Sequence, residues 1–308
     1  MNAYRVNQSC WRDTHSNVRG TAMRNLTEAN VTDAVIHTFD NTPNPRLKEI
    51  MQSLVKHLHA FVREVNLTEE EWLTGIQFLT ATGQMCNDIR QEFILLSDTL
   101  GVSTLKDLLN NRKPEGMTEW SILGPFYREG AAEMELGANI AGDTPGEPVI
   151  LSGRVSAPDG TPLAGALLDV WHADSEGFYD LQLLNPDRMN LRGRFRTDAN
   201  GNYHFRSIKP TYYPIPTDGP VGKMLRTVGR HPYRPAHVHF KVSAPGYKDL
   251  TTELYMNGDP YLDSDAVFGV RESLVVDFVK HESAAEAAQY GVRAPFYTVH
   301  YDFVLEPL

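Results

Sequence analysis

The spacing of apolar residues changes character once along this chain, and that change limits the folds open to it. From Asn25 to about Asn111 the apolar positions recur at helical spacing. The plainest run is Leu47, Ile50, Met51, Leu54, Leu58, Phe61, Val62 and Val65 behind a Pro45 start, which predicts one long amphipathic helix. A second helix is expected from Thr68, where Glu71 three residues on makes a capping-box pattern, with Trp72, Ile76 and Leu79 turned inward. A further helix is expected through Phe93 to Leu96, and Thr27 and Ser103 are expected caps for two more.

The helical period stops around Lys113, Pro114, Glu115 and Gly116. From Pro148 onward, short runs rich in Val, Thr, Tyr and Phe alternate with Gly, Pro, Asp and Asn. Strands are predicted at Val149 to Val155, Leu167 to Trp171, Tyr203 to Ile208, His237 to Val242, Leu250 to Met256 and Tyr297 to Leu305, with a helix from Ser283 to Tyr290 before the last. Turns are expected at Pro158-Asp159-Gly160 and Asn200-Gly201. The expected fold is therefore mainly β with α: a mobile tail over 1–24, a helical region over 25–128 and a β-sandwich over 129–308.

Composition narrows the function classes. A formal charge of -10 with no Lys/Arg run argues against nucleic acid and anionic membrane surfaces as partners. No 18 apolar residues run together and the start has no apolar core segment, so no membrane span or secretion signal is expected, and the cytoplasm is the expected compartment. The two cysteines, Cys10 and Cys86, are too few for a disulfide framework or a thiolate metal site.

Two imidazoles stand two apart in Arg234-Pro-Ala-His237-Val-His239-Phe, and strand alternation turns both to one face, where a single metal ion can take them. A bare His-x-His serves zinc, copper and iron alike. The acids of this half, Asp174, Asp180, Asp198, Asp218 and Asp259, sit mostly beside Gly, Asn or Pro and read as turn formers. Less usual are tyrosines in loop settings, in Gly177-Phe178-Tyr179-Asp180 and Pro210-Thr-Tyr-Tyr213-Pro-Ile-Pro216.

The segments TEWSILGPFYREGA, LLDVWHADSEGFYD, FRTDANGNYHF, PTYYPIP, GRHPYRPAHVHF and YLDSDAVFGV, in this order, resemble the intradiol ring-cleavage dioxygenases over roughly residues 25 to 306. The resemblance implies an iron(III) site held by Tyr179, Tyr213, His237 and His239, with Tyr213 favoured over its neighbour Tyr212 by the flanking prolines. Hard, highly charged iron(III) favours anionic oxygen and drives phenols to ionise, which makes sense of such a donor set. Tyr213 is implied as the ligand that leaves when a diol chelates the metal, and Arg234 as the group that stabilises negative charge on the ring. The implied pocket walls are Leu95, Asp98, Ile122, Leu123, Gly124, Pro125, Phe126, Ile215, Pro216 and Val267.

An acid such as Asp98 beside an aromatic ring wants a donor, and a third ring hydroxyl supplies one. This favours hydroxyquinol, benzene-1,2,4-triol, cleaved with O2 to 3-hydroxy-cis,cis-muconate, the enol form of maleylacetate; catechol and chlorocatechol are the alternatives. Glu253 departs from the Gln common in catechol-specific relatives. The resemblance also implies a homodimer through the N-terminal helices, with a lipid held between helices in relatives. A transthyretin-like sandwich that only binds explains the strand rhythm but not the four donors together. A zinc hydrolase finds no HExxH helix here.

Overall fold

The structure, a computed structural model, describes residues 23–88, 90–112, 114–183 and 189–308. The tail expected over 1–24 therefore lies outside the described residues as far as residue 22. Two compact units divide between Gln77 and Phe78.

The first unit holds α1 (Val31–His37), α2 (Pro45–Glu64) and the start of α3 (Glu69–Gln84). Proline in the first turn and the Asn44 side chain, which accepts from the Leu47 N–H at 3.1 Å, start α2. The box at α3 forms as the sequence predicts: Thr68 N–H donates to Glu71 Oε2 at 2.9 Å, and Glu71 N–H donates to Thr68 Oγ1 at 3.3 Å. Thr27 does not cap α1. Asn30 occupies that position, and its side chain accepts from the Thr27 N–H instead. Nor do Trp72, Ile76 and Leu79 turn inward; they are 53%, 42% and 46% exposed. The row Leu47, Ile50, Leu54, Leu58 and Phe61 on α2 is exposed by 46 to 53%. Amphipathic spacing marks an apolar face correctly but does not say what covers it.

In the second unit α4 (Glu92–Thr99) and α5 (Val102–Asn110) precede the strands. The change from helix to strand and the unit boundary thus fall at different places. These helices are tied to the β region: Leu95 and Leu96 pack with Val221 and Leu225 of α6 (Pro220–Thr227), and the Thr104 hydroxyl donates to the Val267 carbonyl at 3.1 Å. Ser103 lies inside α5, where left-handed Gly101 takes the cap position, and its Oγ is 2.9 Å from that of Ser97.

One five-stranded sheet joins β1 (Pro148–Ser156), β4 (Asn202–Ile208), β10 (Val279–His281), β11 (Phe296–His300) and β12 (Phe303–Val304). The other runs β3 (Arg192–Arg196), β2 (Leu167–Trp171), β7 (His237–Ser243), β8 (Leu250–Met256), β9 (Val275–Val276). A small third sheet pairs β5 (Tyr213–Pro214) with β6 (Tyr233–Arg234), and α7 (Ala284–Gln289) precedes β11. Inward residues of both large sheets make one core: Val149, Leu151 and Phe205 from the first, Leu168, Val238 and Phe240 from the second. Rings interlock between the sheets, with Phe240 centred 5.0 Å from Phe303 and Phe195 4.9 Å from Phe205.

The strand expected over Tyr297 to Leu305 is broken at Tyr301-Asp302. The reason is a close approach: a Cβ on Gly153 would sit 1.7 Å from the Tyr301 carbonyl oxygen, so the chain crosses β1 there and resumes pairing beyond it. Among the described residues, no helix is long and apolar enough to cross a membrane.

Candidate metal centre

Strand β7 sets the site. Val238 and Phe240 enter the core, so His237 and His239 face the other way and meet at a ring-nitrogen separation of 3.2 Å. Antiparallel pairing puts Tyr255 opposite His237 and Glu253 opposite His239, while β2 places Trp171 beside His239, with the rings stacked at 4.7 Å.

The two phenols come from loops. After β2, the Asp174 carboxylate accepts the N–H groups of Glu176 and Phe178, and Gly177 takes a φ of 89°. This turn ends at Tyr179, whose N–H donates to Gln182 Oε1 at 2.9 Å. The short β5–β6 ladder pairs Tyr213 with Arg234. Tyr212 instead points out, 43% exposed, its ring 5.0 Å from that of Tyr261.

Four donor atoms therefore share one focus. Tyr179 Oη lies 3.2 Å from Tyr213 Oη, 3.4 Å from His237 Nε2 and 3.1 Å from His239 Nε2; Tyr213 Oη lies 3.4 Å from His237 Nε2. A single ion with bonds of about 2.0–2.1 Å needs donors spaced about this far apart. All four side chains are buried. Burial pushes both phenols above their ordinary value and both imidazoles below theirs. The imidazoles are thus neutral, as ligands must be, and the phenols ionise only where a strong positive charge stands at the shared focus. The residues fit a hard, highly charged ion.

His237, His239 and Glu253 also offer donor atoms within 4.8 Å of one another. The Glu253 carboxylate is otherwise engaged. Its oxygens accept from Arg234 at 2.9 and 3.0 Å and from Ser121 at 2.7 Å, and the Tyr255 hydroxyl also donates to it. It lies 3.1 Å from His239 Nδ1, behind the ring, off the line of a straight hydrogen bond. Burial alone would push this carboxyl up; the charge of Arg234 and its hydrogen bonds hold it well below the ordinary range. It is thus an anchor for Arg234. Asp265 anchors Arg234 from the other side at 3.1 Å, and Arg234 Nη1 reaches within 3.1 Å of His237 Nε2.

Among the expected wall residues, Leu95, Pro125, Phe126 and Pro216 line one cavity of about 410 Å³. Phe126, one of its lining residues, also stacks on Tyr179 at 4.5 Å. Leu95, Ile122, Ile215 and Val267 form a buried apolar cluster. Gly124, at a φ of 72°, lets the chain pass His239, whose Cε1 would lie 3.4 Å from an added Cβ. Leu123 is 42% exposed. Asp98 is buried one turn after Leu95 but is not among the residues lining that cavity; burial raises its carboxyl, opposed by a hydrogen bond from Ser103 and the charge of Arg234. The sequence reading left out Trp171, Ser121, Tyr255 and Asp265, and left Glu253 without partners. Only the β7–β8 register, which a period-two pattern does not fix, could have set Glu253 opposite His239 and Tyr255 opposite His237.

The family model described as "Catechol dioxygenase N terminus" matches residues 44–118, and that described as "Dioxygenase" matches 122–307. A 6-chlorohydroxyquinol 1,2-dioxygenase of Cupriavidus pinatubonensis is 50% identical over 92% of this chain and 99% of its own. A hydroxyquinol 1,2-dioxygenase of a Rhizobium species is 52% identical over 89% of this chain and 93% of its own. A solved hydroxyquinol 1,2-dioxygenase from Pseudomonas putida superposes with a TM-score of 0.85 at 50% identity, covering 91% of this chain and 99% of that one.

Proposed function

From the chain's membership of the intradiol ring-cleavage dioxygenases, which its relatives and family matches establish, we propose hydroxyquinol as its substrate and iron(III) as its metal. The products of the reaction with dioxygen are 3-hydroxy-cis,cis-muconate and its keto form, maleylacetate. The observation that carries the metal is the meeting of two phenols and two imidazoles within 3.1 to 3.4 Å at a buried focus.

Tyr179, Tyr213, His237 and His239 would hold the ion. Iron(III) bound there would supply Lewis acidity and a template for the two adjacent ring oxygens. Tyr213 Oη would take one of the diol's protons and withdraw, while Tyr179, held between Phe126 and the donor cluster, stays. Arg234 would present its remaining Nη1 hydrogen to negative charge on the ring, kept in place by Glu253 and Asp265. Leu95, Ile122, Leu123, Gly124, Pro125, Phe126, Ile215, Pro216 and Val267 would enclose a flat ring, and Asp98 would accept the third hydroxyl. Identities of 46 to 52% to three hydroxyquinol dioxygenases, against 41% to a catechol 1,2-dioxygenase of Candida albicans, support the triol over the plain diol. The exposed apolar row of α2 supports a homodimer through the N-terminal helices, where a lipid would also find cover. The cytoplasm is the compartment this reading assigns.

The deciding experiment is the visible spectrum of the purified protein before and after anaerobic hydroxyquinol, followed by oxygen and product analysis. A tyrosinate-to-iron(III) band that shifts with the triol and yields maleylacetate is expected, and Tyr213→Phe should change band and turnover together. A colourless protein at full iron content would overturn the reading.

A further inference from the structure

We propose that Arg90 receives a carboxylate of the ring-opened product and that Asp218 occupies Arg90 until that carboxylate appears, an inference that rests on the ring-cleavage reading of the neighbouring site. Arg90 and Asp218 line the same cavity as Leu95, Phe126 and Pro216, and Phe126 is the residue stacked on Tyr179. The guanidinium has two carboxylate partners of opposite character. Nε and Nη2 donate to Glu92 Oε2 at 3.0 and 2.8 Å, and Nη1 and Nη2 donate to the two oxygens of Asp218 at 2.8 and 2.9 Å.

The Glu92 side chain is 0% exposed and that of Asp218 67%. Glu92 is also built in: its Oε1 accepts from the Val221 N–H at 3.2 Å, and a Cβ on Gly219 would come within 2.3 Å of that oxygen. The Glu92 arm is therefore permanent, because removing its partner would strand a buried charge. The Asp218 carboxylate is open to water, so another carboxylate can take over its two-point contact with Arg90 at little net cost.

Substrate and product differ in the one property this arrangement reads. The triol carries hydroxyls and no carboxylate, so it leaves the Arg90–Asp218 pair intact. Ring opening makes two carboxylates, and a guanidinium fork takes any carboxylate in the same two-point way. The new anion displaces Asp218, frees the segment carrying Pro216 from Arg90, and is held at the charged rim of the cavity.

The test is calorimetric binding of cis,cis-muconate, a stable dicarboxylate, to the purified protein and to the Asp218→Asn and Arg90→Lys variants, with the hydroxyquinol KM measured beside it. Asp218→Asn removes the competitor from an exposed position and should tighten muconate binding about two- to fivefold. Arg90→Lys keeps a counter-charge for Glu92 but loses the fork, and should weaken it by about the same factor. A muconate affinity that Asp218→Asn leaves equal or weaker overturns the proposal, as does a gain shared by the neutral triol or an Arg90→Lys protein that binds as tightly as wild type. Protein that binds muconate as expected but opens no ring would overturn the ring-cleavage reading alone.

Discussion

Replacing Glu253 by Gln keeps the side chain's shape and removes its charge, which isolates what a buried carboxylate does in this site. Oε1 accepts from Arg234 Nη1 at 2.9 Å, and Oε2 accepts from Arg234 Nη2 at 3.0 Å and from Ser121 at 2.7 Å. A glutamine amide has two donors where the carboxylate had an acceptor, and because Arg234 donates to both carboxylate oxygens the NH2 end must face Arg234 donor to donor whichever way the amide is turned. Breaking a buried ion pair from one side costs about 3–5 kcal/mol. Arg234 keeps Asp265 at 3.1 Å, which puts the expected loss near the lower bound, about 3 kcal/mol. That is a large share of the roughly 5–15 kcal/mol by which a domain is stable. Urea unfolding followed by circular dichroism at matched iron content measures it, with turnover expected to fall as Arg234 loses one anchor. A loss below about 1 kcal/mol would mean that the pair is no stronger than a surface one and would refute the argument.

Gly177→Ala should displace the proposed ligand Tyr213 without replacing it: the position has a φ of 89°, and the new methyl would sit 2.6 Å from Tyr213 Cβ. Turnover should drop by about tenfold or more, and a variant with wild-type turnover and visible band would contradict the role given to this turn. Asp98→Ala should lower kcat/KM for hydroxyquinol more than for catechol, by about 1–3 kcal/mol of transition-state free energy; equal losses on both substrates would remove Asp98 as the reader of the third hydroxyl. His172 is fully buried between Ser207 and the Ala173 carbonyl, and burial lowers its imidazole from 6.5 to about 4. Because the folded value lies below the unfolded one, its stabilising contribution is complete above pH 6.5 and is lost as pH falls toward about 4, by about 3 kcal/mol in all. The difference between wild type and His172→Gln in unfolding free energy should therefore change across that window, and parallel pH curves would count against it.

The elements legible in the sequence are those whose signal is local. Helix α2 announces itself by its proline start and spacing, the box at Thr68 and Glu71 by two residues, and β2 and β8 by runs bounded with turn formers. His237 and His239 follow from strand alternation alone. Tyr179 and Tyr213 do not: a loop tyrosine beside Gly or Pro looks the same whether it packs or points at a metal, and only resemblance singled these two out. Trp171 and Asp265, and the partners of Glu253, were out of reach for a different reason. Each meets the site across a strand pairing or a chain closure of tens of residues, and sequence spacing carries no register. The inward placement given to Trp72, Ile76 and Leu79 failed because an apolar face says nothing of what lies against it.

The two-residue ladder that sets Tyr213 against Arg234 has a consequence for how such a protein can change. Everything between its strands, from Ile215 to Pro232, starts and ends at fixed points: Ile215 N–H donates to the Pro232 carbonyl at 2.9 Å, just beyond the ladder. The enclosed segment carries Ile215, Pro216 and helix α6, all of them wall or wall support. It is an insert between clamped ends, so exchanging it for another of different length or lining alters which ring fits while the donor atoms stay where they were. Exchange of this cassette can therefore change the pocket lining while leaving the proposed donor set of Tyr179, Tyr213, His237 and His239 untouched.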